Sequence, residues 1–245
     1  MSQRRSINSQ SQPISVSTKT TAVSECVRYI WYRESSKIPI KRADIAKHLL
    51  NACDIQKNEI DSVIAGAEQV LKNVYGFCLA KDSSQYIVVL QEPCEDTPRS
   101  PLVQPHEDAL LNAALAHIFM SGGSVKDGDL WKFLTNADLM KPNDNTVTKL
   151  FIKKFTKQSY LTYTKSDTNN SMIFQWGPRA YKETSKMFIL QKVAEALGKE
   201  PAFWNEQYKE ACGEVQSSPH NQVGSQSPRP EANIIHQSAG ALGTQ

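Results

Sequence analysis

The residues from Tyr160 to Leu190, YLTYTKSDTNNSMIFQWGPRAYKETSKMFIL, constrain the fold more than any other stretch. Tyr160, Leu161, Thr162, Tyr163 and Thr164 form one short run rich in aromatic and β-branched residues, and Met172, Ile173, Phe174, Gln175 and Trp176 form a second. The polar loop KSDTNNS joins them, a pattern that predicts two antiparallel strands. Gly177-Pro178 then breaks the second strand, and Pro178 suits the first position of a helix. Apolar residues at Met187, Leu190, Val193, Ala194 and Leu197 follow at helical spacing, so one long helix is expected after the turn.

The segments before this hairpin complete a unit that occurs twice. In the second copy, a helix at about 106–120 carries Leu110, Leu111, Ala114, Leu115, Ile118 and Phe119, and Gly122-Gly123 ends it. Val125 is a short extended piece. A helix at about 127–136 buries Leu130, Trp131 and Leu134, and a third helix runs from about 144 to 158. In the first copy, Val23, Val27, Ile30 and Trp31 line one face of an opening helix, and Ile38-Pro39-Ile40 is extended. A second helix at about 41–51 turns Ile45, Leu49 and Leu50 inward. A third at about 56–75 carries Ile60, Val63, Ile64, Ala67, Val70, Leu71 and Val74, with Gly76 where a helix-ending glycine belongs. Phe77–Leu79 and Tyr86–Leu90 make the closing hairpin. Three helices and a hairpin define a winged helix, so the expected fold class is mainly α with short β-hairpins, as tandem winged-helix domains.

The remaining segments mark boundaries. Residues 1–21 are rich in Ser, Thr and Gln and read as a disordered arm. Residues 22–92 form the first winged helix, 93–105 a Pro-rich linker, 106–212 the second winged helix with C-terminal helices, and 213–245 a disordered tail. Ile234-Ile235 is the one apolar point in that tail, either a short contact motif or part of a solvated segment.

Composition excludes several function classes. The 245-residue chain has five dispersed cysteines without a C-x-x-C pair, which argues against a disulfide framework or a zinc site and for a reducing compartment. No apolar run approaches the roughly 20 residues of a membrane span, so no membrane partner is expected. No G-x-x-x-x-G-K-[ST], G-x-S-x-G or H-E-x-x-H occurs, and His48, His106 and His117 are dispersed. No catalytic residue, metal ligand or cofactor is assigned, and the chain is read as not an enzyme.

Net charge is only +3, so the distribution of charge must carry any nucleic-acid argument. In the third helix of the second unit, Lys149, Lys153 and Lys157 recur every four residues, with Lys154 beside them. Helical geometry sets three in a row away from the apolar stripe Val147, Leu150, Phe151 and Phe155. Asp144 sits at the helix start, where a carboxylate caps. The row is either a solvated face or a phosphate contact, and the third helix of a winged helix is the element placed against DNA. Lys165 on the wing and Lys132 are weaker additions. The first unit's third helix is acidic, with Asp54, Glu59, Asp61 and Glu68, and does not suit DNA. Its opening helix carries Tyr29, Ile30, Trp31 and Tyr32 in succession, more bulk than one core face accepts. Part of it meets another protein, or the tyrosines lie at the rim with their hydroxyls in water.

Three segments resemble one family. QWGPRAYKETSKMFIL resembles the WGPRA–ETSKM signature of the MAGE homology domain, KIPIKRADIAKH its opening segment, and HIFMSGG…LWKFL a third motif, in the right order across about residues 22–212. QWGPR and IPIKRADI are most similar to the branch that serves as the MAGE subunit of the SMC five–six complex. The resemblance implies tandem winged helices and a non-catalytic adaptor with a nuclear, chromosome-associated role in DNA repair and recombination. It implies that the first winged helix docks a RING-type ubiquitin ligase through a pair aligned with Ile30 and Trp31. It also implies an apolar groove in the second winged helix for a helical segment of the kleisin subunit, with Phe188 and Ile189 as candidates beside a core role. Lys149, Lys153, Lys154, Lys157 and Lys165 are the candidate contacts to double-stranded DNA, without sequence specificity. The segment LMKPNDNTV is shorter than the family's, so its contacts are not carried over. Two other readings stay open: a free-standing MAGE cofactor of a RING ligase that does not bind DNA, and a plain winged-helix transcription factor.

Overall fold

The computed structural model describes residues 16–91, 105–166 and 171–217. It contains two units of the same plan. In the first, α1 (Val16–Glu34) is followed by β1 (Ile40–Lys41), α2 (Arg42–Ala52), a 3-10 turn at Lys57–Glu59 and α3 (Ile60–Tyr75), then the hairpin of β2 (Phe77–Asp82) and β3 (Gln85–Leu90). In the second, α4 (Pro105–Met120), β4 (Ser124–Lys126), α5 (Asp127–Asn136) and α6 (Asn145–Lys149) precede the hairpin of β5 (Leu161–Lys165) and β6 (Met172–Trp176). Helices α7 (Ala180–Glu183), α8 (Lys186–Ala196) and α9 (Asn205–Ser217) complete it. The short extended pieces become third strands. The sheets run β1-β3-β2 and β4-β6-β5, each pairing antiparallel. The fold is thus mainly helical with small sheets, a tandem winged helix.

Local chemistry sets the element ends. Gly76 ends α3 in the left-handed region at φ 69°, its N–H donating to Leu71 O, a conformation that costs glycine nothing. Asp144 caps α6 by accepting from Thr146 N at 2.8 Å and Val147 N at 3.2 Å. In the second sheet, Val125, Phe174 and Tyr163 align across β4, β6 and β5. Their face meets Trp131 and Phe151, which set ring edges against Phe174. The Trp176 indole donates to Leu115 O at 2.9 Å and ties the wing to α4. Trp176 is buried and Trp131 half-buried.

Three expectations need correction. The opening helix starts at Val16, inside the segment read as a disordered arm. Ala22 and Cys26 pin it to the core, and propagation back through residues 17–21 adds a hydrogen bond per residue fixed despite their polar composition. At the other end, α9 continues to Ser217, past residue 213 where the tail was expected. The single long helix expected after Gly177-Pro178 is two. Thr184 is extended at φ −130°, and the Ser185 side chain caps α8 by accepting from Phe188 N at 3.2 Å. The apolar periodicity starts only at Met187 because α7 is a separate turn.

Helix α6 does not continue as an α-helix. Leu150–Phe155 forms a π-helix. Its wider i→i+5 turn fits a repeat of four better than 3.6 residues does. Val147, Phe151 and Phe155 therefore all stay buried on one side. The same widening keeps Lys149, Lys153 and Lys157 together on the exposed side.

The two units keep separate cores. One apolar cluster runs from Ala22 to Val88, the other from Leu110 to Ala211, with no residue shared. Between them β3 meets α7, with Ile87 and Val89 buried outside both clusters and the Arg179 guanidinium bonded to both units.

Candidate functional site

Three surfaces and one buried seam draw together the residues singled out in the sequence. The first surface lies where α1 ends. Ala22, Cys26 and Ile30 are four apart and face the core, and Ile30 has 0% exposure. Trp31 is turned about 100° from Ile30 and is 48% exposed. Ile30 and Trp31 are therefore not presented together: the pair splits into a core residue and a surface residue. Trp31 instead packs against Tyr75 and Phe77, with ring centroids at 5.1 and 5.4 Å. Phe77 is the cross-strand partner of Leu90. Trp31, Tyr32, Val74, Tyr75 and Leu90 are all exposed large apolar or aromatic residues. Val74, the last apolar residue of the α3 stripe, faces outward. The stripe of α3 outruns the core, which closes at Leu71, and a stripe continuing to the helix end was the available signal.

The second surface is a groove of about 550 Å³ between α8, the 3-10 turn Pro201–Phe203 and α9. Met187, Gln191, Pro201, Tyr208 and Cys212 line it, with Glu200 and Ala202. Phe188 and Ile189, the candidates for a kleisin groove, do not line this one. Ile189 is a buried member of the second core, and Phe188 is half-buried with the Lys192 ammonium 5.6 Å from its ring. Helix phase separates the two sets. Met187 and Gln191 are four apart and share a face, while Phe188 and Ile189 point to its side and back.

The third surface is the lysine row. Lys149, Lys153 and Lys157 are exposed, and no ion pair engages them among the described residues. Lys154 pairs with Glu107 of α4, so its charge is already compensated. Lys165 is exposed at the tip of β5, where Ser166 N donates to Ser171 O at 2.7 Å. The loop between lies outside the described residues, as does Ile234-Ile235. Lys126 on β4 is a further exposed cation of the wing. The sequence reading passed over it because it stands alone in an extended piece.

The seam is built by the QWGPR segment. Gly177 N–H donates to Tyr160 O at 2.8 Å. A Cβ on Gly177 would stand 2.3 Å from Ser159 O, so only glycine permits this approach. Arg179 has 0% exposure and spends its guanidinium on both units. Nε donates to Gln158 O at 3.0 Å, Nη1 to Val88 O and to Glu183 Oε1 at 2.8 Å each, and Nη2 to Lys37 O at 2.9 Å. Glu183 also accepts from Tyr160 Oη, and Lys37 Nζ pairs with Glu34. Burial pushes the Glu34 carboxyl up, against the pull of Lys37 and Arg179. The signature is thus structural: its small residue permits close approach and its arginine crosses the seam.

One cysteine and one histidine are held in packed environments. Cys26 is buried, and desolvation pushes its thiol up to about 12, far from a nucleophilic thiolate. His117 stacks on Phe133 with centroids 4.1 Å apart, and burial holds its imidazole below the usual histidine value. No group of three or more His, Cys, Asp and Glu side chains is placed to hold a metal ion, and no helix is long and apolar enough to cross a membrane, among the described residues.

The comparisons with known proteins agree with this architecture. The MAGE homology domain model matches residues 26–85 and 80–187. The chain belongs to the MAGE family. Within it, the chain is 32% identical over 218 residues to the human "Non-structural maintenance of chromosomes element 3 homolog", covering 84% of this chain and 70% of that protein. The mouse protein of the same name is 30% identical over 206 residues, covering 80% and 73%. Human "Melanoma-associated antigen D2" is 31% identical over 200 residues, which is 76% of this chain but 32% of that longer protein. Among solved structures, a chain of an "Nse1-Nse3-Nse4 complex" superposes with TM-score 0.70 at 31% identity, covering 81% of this chain and 100% of that one.

Proposed function

We propose that the chain is the non-catalytic MAGE subunit of an SMC five–six complex, joining a RING-type ubiquitin ligase to a kleisin and contacting double-stranded DNA. The observation that carries this reading is the likeness, over most of the chain, to a protein solved within an Nse1-Nse3-Nse4 complex. Three separate surfaces on one scaffold suit an adaptor. The apolar patch around Trp31, Tyr75 and Phe77 is assigned to the ligase subunit, because exposed aromatic clusters of this kind anchor interfaces. The groove lined by Met187, Gln191, Pro201 and Tyr208 is assigned to an amphipathic helix of the kleisin. A subunit of this complex acts in the nucleus, on chromosomes, in repair and recombination.

The lysine row is assigned to DNA. Lys149, Lys153 and Lys157 are free to neutralise phosphates, whereas Lys154 is left out of the count because Glu107 already pairs with it. Each phosphate neutralised steepens the fall of log affinity with log salt by about 0.9, so three contribute roughly 2.7 to the slope. Changing all three to Glu will abolish binding of a labelled duplex in anisotropy titrations across a salt series. These side chains lie in water, so the melting temperature will stay within a few degrees of wild type. Unchanged affinity and slope in the triple variant would remove this helix from DNA binding. DNA binding absent in the wild type, with ligase binding retained, would select the free-standing cofactor.

A further inference from the structure

At the seam between the units, β3 meets α7, and Ile87 and Val89 of β3 are buried without belonging to either core cluster. Each hydrophobic cluster stays within its own unit, the first ending at Val88 and the second starting at Leu110. Among the described residues, the bonds across the seam are polar and converge on one side chain. Arg179 donates to Lys37 O and Val88 O of the first unit while holding Gln158 O and Glu183 of the second. Around it, the Gln158 side chain donates to Ser36 O at 3.1 Å, Lys37 Nζ lies 3.9 Å from Glu183 Oε1, and Arg179 Nη1 lies 3.8 Å from Glu34 Oε1. Lys37 itself sits at φ 58°, a left-handed conformation uncommon for lysine that turns its carbonyl to the guanidinium.

We propose that Arg179 is a positioning residue: a polar latch that fixes the two winged helices in one mutual orientation across the contact of β3 with α7. Interfaces between domains permit relative motion by default unless they are large and hydrophobic. A buried guanidinium with several fixed acceptors accepts only one arrangement, because any rotation leaves carbonyls and carboxylates unpaired out of water. The latch lies between the functional surfaces. On the first unit it grips the chain just after the helix bearing Trp31 and Tyr32. On the second it grips Gln158, the residue after Lys157 at the end of the lysine helix. The angle between the apolar patch and the lysine row is therefore set at Arg179, whichever partners those surfaces take.

The test measures orientation directly. Amide residual dipolar couplings are recorded on the weakly aligned full chain, and the two units are fitted together and apart. In the wild type one alignment tensor fits both. In Arg179→Leu the units will require different tensors, while the core shifts around Ile45 and Leu71, and around Leu115 and Phe151, stay in place. Arg179→Lys keeps the charge but cannot reach all four acceptors, and will show the same loss in part. A single shared tensor in Arg179→Leu, or in Arg179→Lys if the first variant does not fold, overturns the latch. Collapse of the second unit's core signals in both variants also overturns it, since Arg179 would then belong to the fold of that unit.

Discussion

Trp31→Ala combined with Tyr75→Ala will weaken binding to a RING-type ligase subunit by about 2 kcal/mol or more, roughly 30-fold or greater. The two rings touch at 5.1 Å and are each about half exposed, Trp31 at 48% and Tyr75 at 47%. Their removal takes an aromatic anchor from the surface and leaves no cavity in the core. The variant's melting temperature will therefore stay close to wild type. Ile30→Ala provides the contrast. Ile30 is fully buried, so its truncation costs about 2–5 kcal/mol of stability in the first unit. Calorimetric titration beside a thermal melt separates the two cases. Undiminished ligase binding by a folded Trp31/Tyr75 variant would show that the exposed aromatic cluster is not the contact.

Phe174→Ala will destabilise the second unit by about 3–5 kcal/mol. Phe174 is fully buried and stands at the centre of the wing's inner face. Trp131 lies 5.4 Å away edge-on, Phe151 at 6.1 Å, and Tyr163 stacks at 4.5 Å. Losing the ring strips three aromatic neighbours of a shared partner and opens a void that their stiff side chains fill poorly. Against a typical domain stability of about 5–15 kcal/mol, the loss is a large fraction. Urea denaturation followed by tryptophan fluorescence reads it, since Trp131 and Trp176 both belong to this unit. A midpoint within error of wild type would mean that the aromatic cluster does not hold the wing.

The sequence made the order of elements legible because each is announced by local chemistry. Period-two runs mark the hairpins, glycine marks the end of α3, and the four-residue spacing of Val147, Phe151 and Phe155 marks one face of a helix. The same pattern hid the π-helix, since a repeat of four is compatible with either helix type and only the packing of Phe151 and Phe155 selects between them. Ile30 and Trp31 are adjacent in sequence, yet a helix turns them onto different faces, so the pair taken from the resemblance divides into a buried and an exposed residue. The break at Thr184-Ser185 was missed because Ser185 also fits a helix interior, and its role as a cap shows only in the bond to Phe188 N. Phe188 and Ile189 were singled out by apolar character, which does not tell a groove from a core. Arg179 illustrates the opposite case. Its motif was the most visible in the chain, but its purpose depends on carbonyls of Lys37 and Val88, which lie far away in sequence. Side chains that read backbone atoms of another unit leave no pattern of their own.

The claim that this chain is a three-surface adaptor is tested most directly by reconstitution. The full chain is mixed with the RING-type and kleisin subunits of an SMC five–six complex, singly and together, and the mass of each species is read by light scattering after gel filtration. The account predicts a binary complex with each partner and a ternary complex holding one copy of each, with the Trp31/Tyr75 variant losing only the ligase subunit. Failure to bind either partner, or mutually exclusive binding of the two, would contradict it.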